Sequence, residues 1–173
     1  LSAAPGYAAA FADYDKAETV VNGDSAKLYG LELSWTRKFE NGFLLNTNAT
    51  LSHSKATLGL REGGIPLPNQ SKLLANLVLG YERGPLTLRL SNAWLGKRLI
   101  AMDDPADAAQ DIYEQGHLQV DLSAKWRLAK GWRAYAEVVN LTDRPYAARY
   151  GYGGLLQYEK SGRVYNLGVE ASF

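Results

Sequence analysis

Cysteine is absent from these 173 residues, which excludes disulfides, thiolate metal sites and cysteine catalysis. Histidine is nearly absent. His53 and His117, far apart in sequence, supply too little for a histidine zinc site or a Ser-His-Asp triad, and no catalytic constellation is expected. No apolar run approaches the roughly 18 residues that a membrane-crossing helix requires. The first ten residues, LSAAPGYAAA, carry neither the basic region nor the apolar segment of a secretory signal. A surplus of one charge is also missing: 19 basic against 18 acidic residues leave a net charge of +1, so no field draws in nucleic acid or acidic substrates. What remains is the 46% hydrophobic, 21% charged composition of an ordinary folded chain, biased towards aromatics by eleven tyrosines and four tryptophans. If such a chain meets a membrane, it must do so with strands.

Period-two alternation fills the sequence. Residues 28–39 place Tyr29, Leu31, Leu33, Trp35 and Phe39 on one face and Glu32, Ser34, Thr36 and Lys38 on the other. Strands are expected at 28–39, 43–55, 72–82, 86–98, 117–128, 132–142 and about 163–173, seven in all. The cleanest is 117–128, where Leu118, Val120, Leu122, Ala124 and Trp126 oppose His117, Gln119, Asp121, Ser123 and Lys125. The register of 132–142 stays open, with Trp132, Ala134, Ala136 and Val138 leaning outward. Connections take turns: glycine-bearing reversals at 40–42, 83–85 and 129–131, then loops of about fifteen residues or more at 56–70, 99–115 and 143–161. Short turns at one end and long loops at the other are the habit of outer-membrane barrels.

Aromatics gather at the short-turn end. Phe39, Phe43, Tyr81, Trp126, Trp132 and the terminal Phe173 fall at one rim on the apolar face, as a belt at the headgroup level would, and Tyr29, Trp94 and Tyr165 fall near the other. The opposite face, with Glu32, Asn46, Asn48, Arg89, Gln119, Asp121, Lys125 and Glu170, is too polar to collapse into a small barrel's core. An odd strand count and two unpaired edges point to one side of a larger barrel rather than a closed one. A soluble β-sandwich or lipocalin-like barrel would give the same alternation but has no reason to collect aromatics at one rim.

Three stretches carry a family resemblance: NGDSAKLYGLELSWTRKF, the segment VVNLTDRPY from Val138 to Tyr146, and SGRVYNLGVEASF at the end. They closely resemble the C-terminal end of TonB-dependent outer-membrane receptors, in which a G-[VL]-E strand, an N-L-[TF]-D-x-x-Y segment and a final G-R-x-[YF]…F strand recur. Here these correspond to Gly30 to Glu32, Asn140 to Tyr146 and Gly162 to Phe173. The resemblance implies an all-β fold in which residues 1–173 are the C-terminal part of one antiparallel transmembrane β-barrel, the last seven strands of 22, without the plug. It further implies a transporter of the bacterial outer membrane, not an enzyme, that takes up a scarce nutrient such as a ferric siderophore or other metal chelate, with no resident cofactor. Its partners would be the remaining strands and the plug, the TonB complex through that plug, lipid and lipopolysaccharide, and the barrel-assembly machinery, which Phe173 would address. A passive porin or self-contained small barrel is the alternative.

Ligand candidates lie in the long loops. Arg149, Tyr150, Tyr152 and Tyr158 in the last loop, with Arg61 from the first, combine guanidinium groups and aromatic faces suited to an anionic, ring-bearing ligand. The same residues would also serve as belt tyrosines and cations facing lipopolysaccharide phosphates. Asp103, Asp104, Asp107 and Asp111 in MDDPADAAQD lack the spacing of a calcium loop and read as solvated loop charge. No metal site is expected.

Overall fold

The computed structural model describes residues 23–59 and 61–172. Its strands are Ser25–Lys38 (β1), Phe43–Thr57 (β2), Gly64–Ile65 (β3), Leu73–Arg83 (β4), Leu86–Leu95 (β5), Arg98–Met102 (β6), Asp111–Glu114 (β7), His117–Ala129 (β8), Trp132–Val139 (β9), Tyr146–Tyr150 (β10), Leu155–Glu159 (β11) and Val164–Ala171 (β12). A single 3-10 turn, Ala108–Gln110, precedes β7. One antiparallel sheet runs β1-β2-β4-β5-β8-β9-β12, with β3 added to β2; β11-β10-β7-β6 form a second. Among the described residues the large sheet is an unclosed wall whose edges are β1 and β12.

Cross-strand register carries one face from edge to edge. Leu31 opposes Leu51, Leu45 opposes Leu79, Leu79 opposes Leu90, Leu90 opposes Leu122, and Leu122 opposes Val138. Since residues directly opposite point to the same side, these form a continuous apolar face. Tyr165, Leu167, Val169 and Ala171 oppose Val138, Ala136, Ala134 and Trp132, which fixes the register of β9: Trp132, Ala134, Ala136 and Val138 lie on the apolar face. Leu128 is the extra residue of a bulge between Arg127 and Ala129.

The apolar face is bare. Leu33 is 56% exposed, Leu122 38% and Leu167 80%, values that a second packed layer would abolish. Val120 is the exception, buried where the backbone N–H of Leu141 in the next turn donates to its carbonyl. On the polar face a hollow of about 580 Å³ is lined by Glu82, Arg89, Lys125, Tyr135, Glu137 and Glu170.

Short turns close the end marked by Phe39, as expected. Gly42 at φ +96°, Gly84 at +61° and Gly131 at +78° occupy the left-handed region in the three reversals. The long connections differ from the expected irregular loops. Residues 98–114 form the hairpin β6–β7 and 146–159 the hairpin β10–β11, so strand pairing continues past the wall's loop-side rim. These hairpins bury Leu99 and Ala148 but also Asp111 and Glu114, so no apolar–polar alternation marks them.

Candidate functional site

The loop-side end is the one place where the described residues build a buried cluster. Ala56, Ile65 and Leu99 are its centre, with Leu58, Leu67, Met102 and Tyr113 packed against them. Ala56 continues the polar-face series Asn46, Asn48, Thr50, Ser52 and Ser54, so the segment 61–70 folds in over the polar side of the wall. Polar bonds tie it down: Ser54 Oγ accepts from Leu67 N, Asn69 N donates to Leu99 O, and Ser71 Oγ donates to Gly96 O.

Arg61 is the brace of this segment. Its Nη1 and Nη2 donate to the two carboxylate oxygens of Asp111 at 2.9 and 2.8 Å, and Nε donates to Pro105 O at 2.9 Å. Both side chains are shut off from water, 10% and 3% exposed. This bidentate bond to Asp111 raises the Arg61 pKa, while burial pushes the Tyr113 phenol up, with Asp111 adding to it. Asp104 and Asp107 accept backbone N–H bonds from Ala106 and Ala109. Asp104 and Asp107 therefore cap the loop's own turn and Asp111 holds Arg61, and the described residues contain no group of acids and histidines disposed to hold a metal ion.

The other ligand candidates share the hairpin β10–β11. Tyr150 and Tyr152 stack with ring centroids 5.1 Å apart and planes 10° from parallel. Tyr152 and Tyr158 are 63% and 57% exposed. Arg149 is exposed and donates through Nη1 to Gly153 O at 3.0 Å. The hairpin tip leans on the neighbouring loop, where Tyr152 N donates to Ala109 O, and a Cβ on Gly151 would strike Ala108 O. Arg61 thus holds the 104–111 loop against which that hairpin rests.

At the opposite rim Phe43 opposes Tyr81, their rings 5.1 Å apart and edge to face, and Phe39 N donates to Phe43 O. Trp126 opposes Ala134, and Trp132 opposes Ala171, on the same apolar side. Phe39, Phe43, Trp126 and Trp132 are between 42% and 54% exposed. Phe173 lies outside the described residues.

Two positions have structural roles that spacing did not disclose. Asn140, inside the expected strand 132–142, is instead a buried left-handed turn residue at φ +55° just after β9. Its amide donates to Arg144 O and Gly162 O, its side-chain oxygen accepts from Arg144 N, and its own N–H donates to Asp121. Asn is among the few residues at ease there, and its pairing with the segment before β12 explains why the NLTD stretch precedes the last strands. At Gly30 a Cβ would collide with Leu51 O, so the approach of β1 to β2 excludes a side chain.

Solved structures of similar fold include receptors several times longer than this chain. The siderophore receptor PiuA from Acinetobacter baumannii matches with TM-score 0.64 and 21% identity over 84% of this chain and 22% of its own. The ferripyoverdine receptor of the outer membrane of Pseudomonas aeruginosa matches with TM-score 0.64 and 17% identity over 95% and 22%. The ferric yersiniabactin uptake receptor FyuA from Yersinia pestis matches with TM-score 0.66 and 20% identity over 86% and 24%. The chain thus spans less than a quarter of these receptors. No curated protein sequence matches it. The family model of the TonB dependent receptor-like β-barrel matches residues 3–141, most of the chain, and this wall of antiparallel strands belongs to that family as a portion of a receptor barrel.

Proposed function

We propose that this chain is the C-terminal side of the barrel of a TonB-dependent outer-membrane transporter, and that the transporter takes up a ferric siderophore or another metal chelate. The bare apolar face carries the membrane part of this reading: with rings at both ends and leucine between, it suits hydrocarbon flanked by headgroups. Its two open edges call for the remaining strands, since backbone N–H and C=O groups left unpaired in lipid each cost several kcal/mol. The polar face with its hollow suits a wet or plugged lumen. That plug, the TonB complex acting on it, lipopolysaccharide and the barrel-assembly machinery are the partners this reading requires.

Ligand capture is assigned to the β10–β11 hairpin. Stacked Tyr150 and Tyr152, exposed Tyr158 and the guanidinium of Arg149 offer aromatic faces and positive charge at the loop-side mouth. Arg61 serves this surface by bracing the loop beneath it. The solved relatives named for siderophores and ferric uptake support an iron chelate as cargo. The test is growth of iron-starved cells carrying the full-length receptor, with single ferric chelates as iron source. A chelate that supports growth through the wild type but not through the Tyr152→Ala, Tyr158→Ala variant is the expected outcome; equal growth through both contradicts the assignment.

A further inference from the structure

The apolar face carries charge only as cations, and only at its ends. Along the described strands its charged residues are Arg37 and Arg83 at the turn end and Lys27 and Lys55 at the loop end, while Glu32, Glu82, Asp121, Glu137 and Glu170 all fall on the polar face. Lys27 and Lys55 stand directly opposite each other on β1 and β2. Like charges in that relation repel, and a strand pair gains nothing from them. Among the described residues neither makes an ion pair, although Arg61, Arg89, Arg98, Arg133 and Lys160 each have a carboxylate. The next pair outward, Ser25 and Thr57, brings no acid.

Their setting is also specific. One step below them Tyr29 opposes His53 with ring centroids 5.1 Å apart, the ring level at which hydrocarbon gives way to headgroups. The methylene stem of Lys55 lies across the backbone of Gly64, where any Cβ would strike it, so β3 supports the stem while leaving the residue exposed. Two exposed lysines are therefore paired at the backbone level, the Lys55 stem turned towards β3, without a counterion among the described residues and at the level of the outer headgroups.

We propose that Lys27 and Lys55 clamp a phosphate group of an outer-leaflet glycolipid, a site that rests on the membrane reading above. The phosphate supplies the negative charge that the strand pair lacks, and each lysine contributes an ion pair at a surface where one such cation changes lipid affinity about fivefold. The test uses the full-length receptor in phosphatidylcholine nanodiscs containing either diphosphoryl lipid A or its dephosphorylated form, with bound glycolipid counted by native mass spectrometry. The wild type retains the phosphorylated form preferentially, and Lys27→Ala, Lys55→Ala lowers that affinity roughly 30-fold, whereas Lys125→Ala on the polar face leaves it unchanged. Equal retention by the double variant, or equal binding of the dephosphorylated lipid, overturns the clamp. Displacement by millimolar inorganic phosphate would assign the lysines to a soluble anion and overturn it as well. In lipid-A-free detergent the double variant melts no lower than the wild type, and a lower melting point would show that the lysines serve the fold instead. A receptor that inserts but ignores these substitutions sinks the clamp alone; one that stays monodisperse without amphiphile sinks the membrane reading.

Discussion

Removing the carboxylate of Asp111 tests how the mouth is held. Asp111→Ala leaves the Arg61 guanidinium enclosed, with two of its donors aimed at nothing and Pro105 O and Asp104 O as its remaining acceptors. Breaking a buried pair from one side costs about 3–5 kcal/mol. The lower end, about 3 kcal/mol, applies here because the cover is a single loop. That free energy belongs to the 61–70 segment rather than to the wall, whose ladders the pair does not touch. Hydrogen exchange in the full-length receptor reads it directly: the amides of Leu67, Asn69 and Gln70, bonded to Ser54 Oγ, Leu99 O and Leu67 O, should exchange about 100-fold faster. Arg61→Met, Asp111→Leu, which removes both charges, should recover most of that protection. Unchanged protection in Asp111→Ala would refute the reasoning and leave the apolar cluster around Leu99 as the whole attachment.

Leu122→Arg, on the apolar face between Leu90 and Val138, should destabilise the inserted barrel by about 2–4 kcal/mol, with Ser123→Arg mild; folding titrations into lipid vesicles compare them. Asn140→Ala should cost about 2–4 kcal/mol, from three side-chain hydrogen bonds and a left-handed backbone, with Asn140→Gly nearer the low end, as thermal melts would register. Tyr113 has its phenol pKa raised by burial, so its contribution to the mouth is complete below the ordinary phenol range near 10 and is lost as pH rises through the raised value. Exchange of the 61–70 amides referenced to free-peptide rates should show that loss in the wild type and not in Tyr113→Phe.

The wall was legible because a half-exposed strand writes its two environments into alternate residues. Leu118 to Trp126 and the three glycine turns needed nothing more. Residues 132–139 were ambiguous because Tyr135 and Val139 compete with Ala134, Ala136 and Val138 for the apolar side; the pairing with Tyr165, Leu167 and Val169 decides it, and pairing is not a local property. The hairpins β6–β7 and β10–β11 escaped notice because the residues they bury, Leu99 and Ala148 but also Asp111 and Glu114, mix apolar with charged and leave no alternation to read. Arg61 and Asp111 are 50 positions apart, and nothing in either neighbourhood announces the other. The bonds of Arg61 to Asp111 and Pro105 O were not legible because an exposed cation and a braced one read alike in sequence.

This division bears on function. On the proposed reading the apolar face, the belts and the lysine pair serve the membrane, and the braced loops and their tyrosines serve ligand capture. A receptor gains from a rigid rim beneath an exposed aromatic hairpin, because ordering a loop upon binding costs affinity.

The central claim is that hydrocarbon covers the face bearing Leu118, Leu122 and Trp126. This chain has no cysteine, so single nitroxide labels are readily placed along β8 at each position from 118 to 126. In the full-length receptor in lipid bilayers, collision with oxygen should dominate at 118, 122, 124 and 126, and collision with a polar nickel chelate at the odd positions between, with Val120 shielded from both. Equal accessibility to the two reagents at 118, 122 and 126, or preference there for the polar one, would contradict the account.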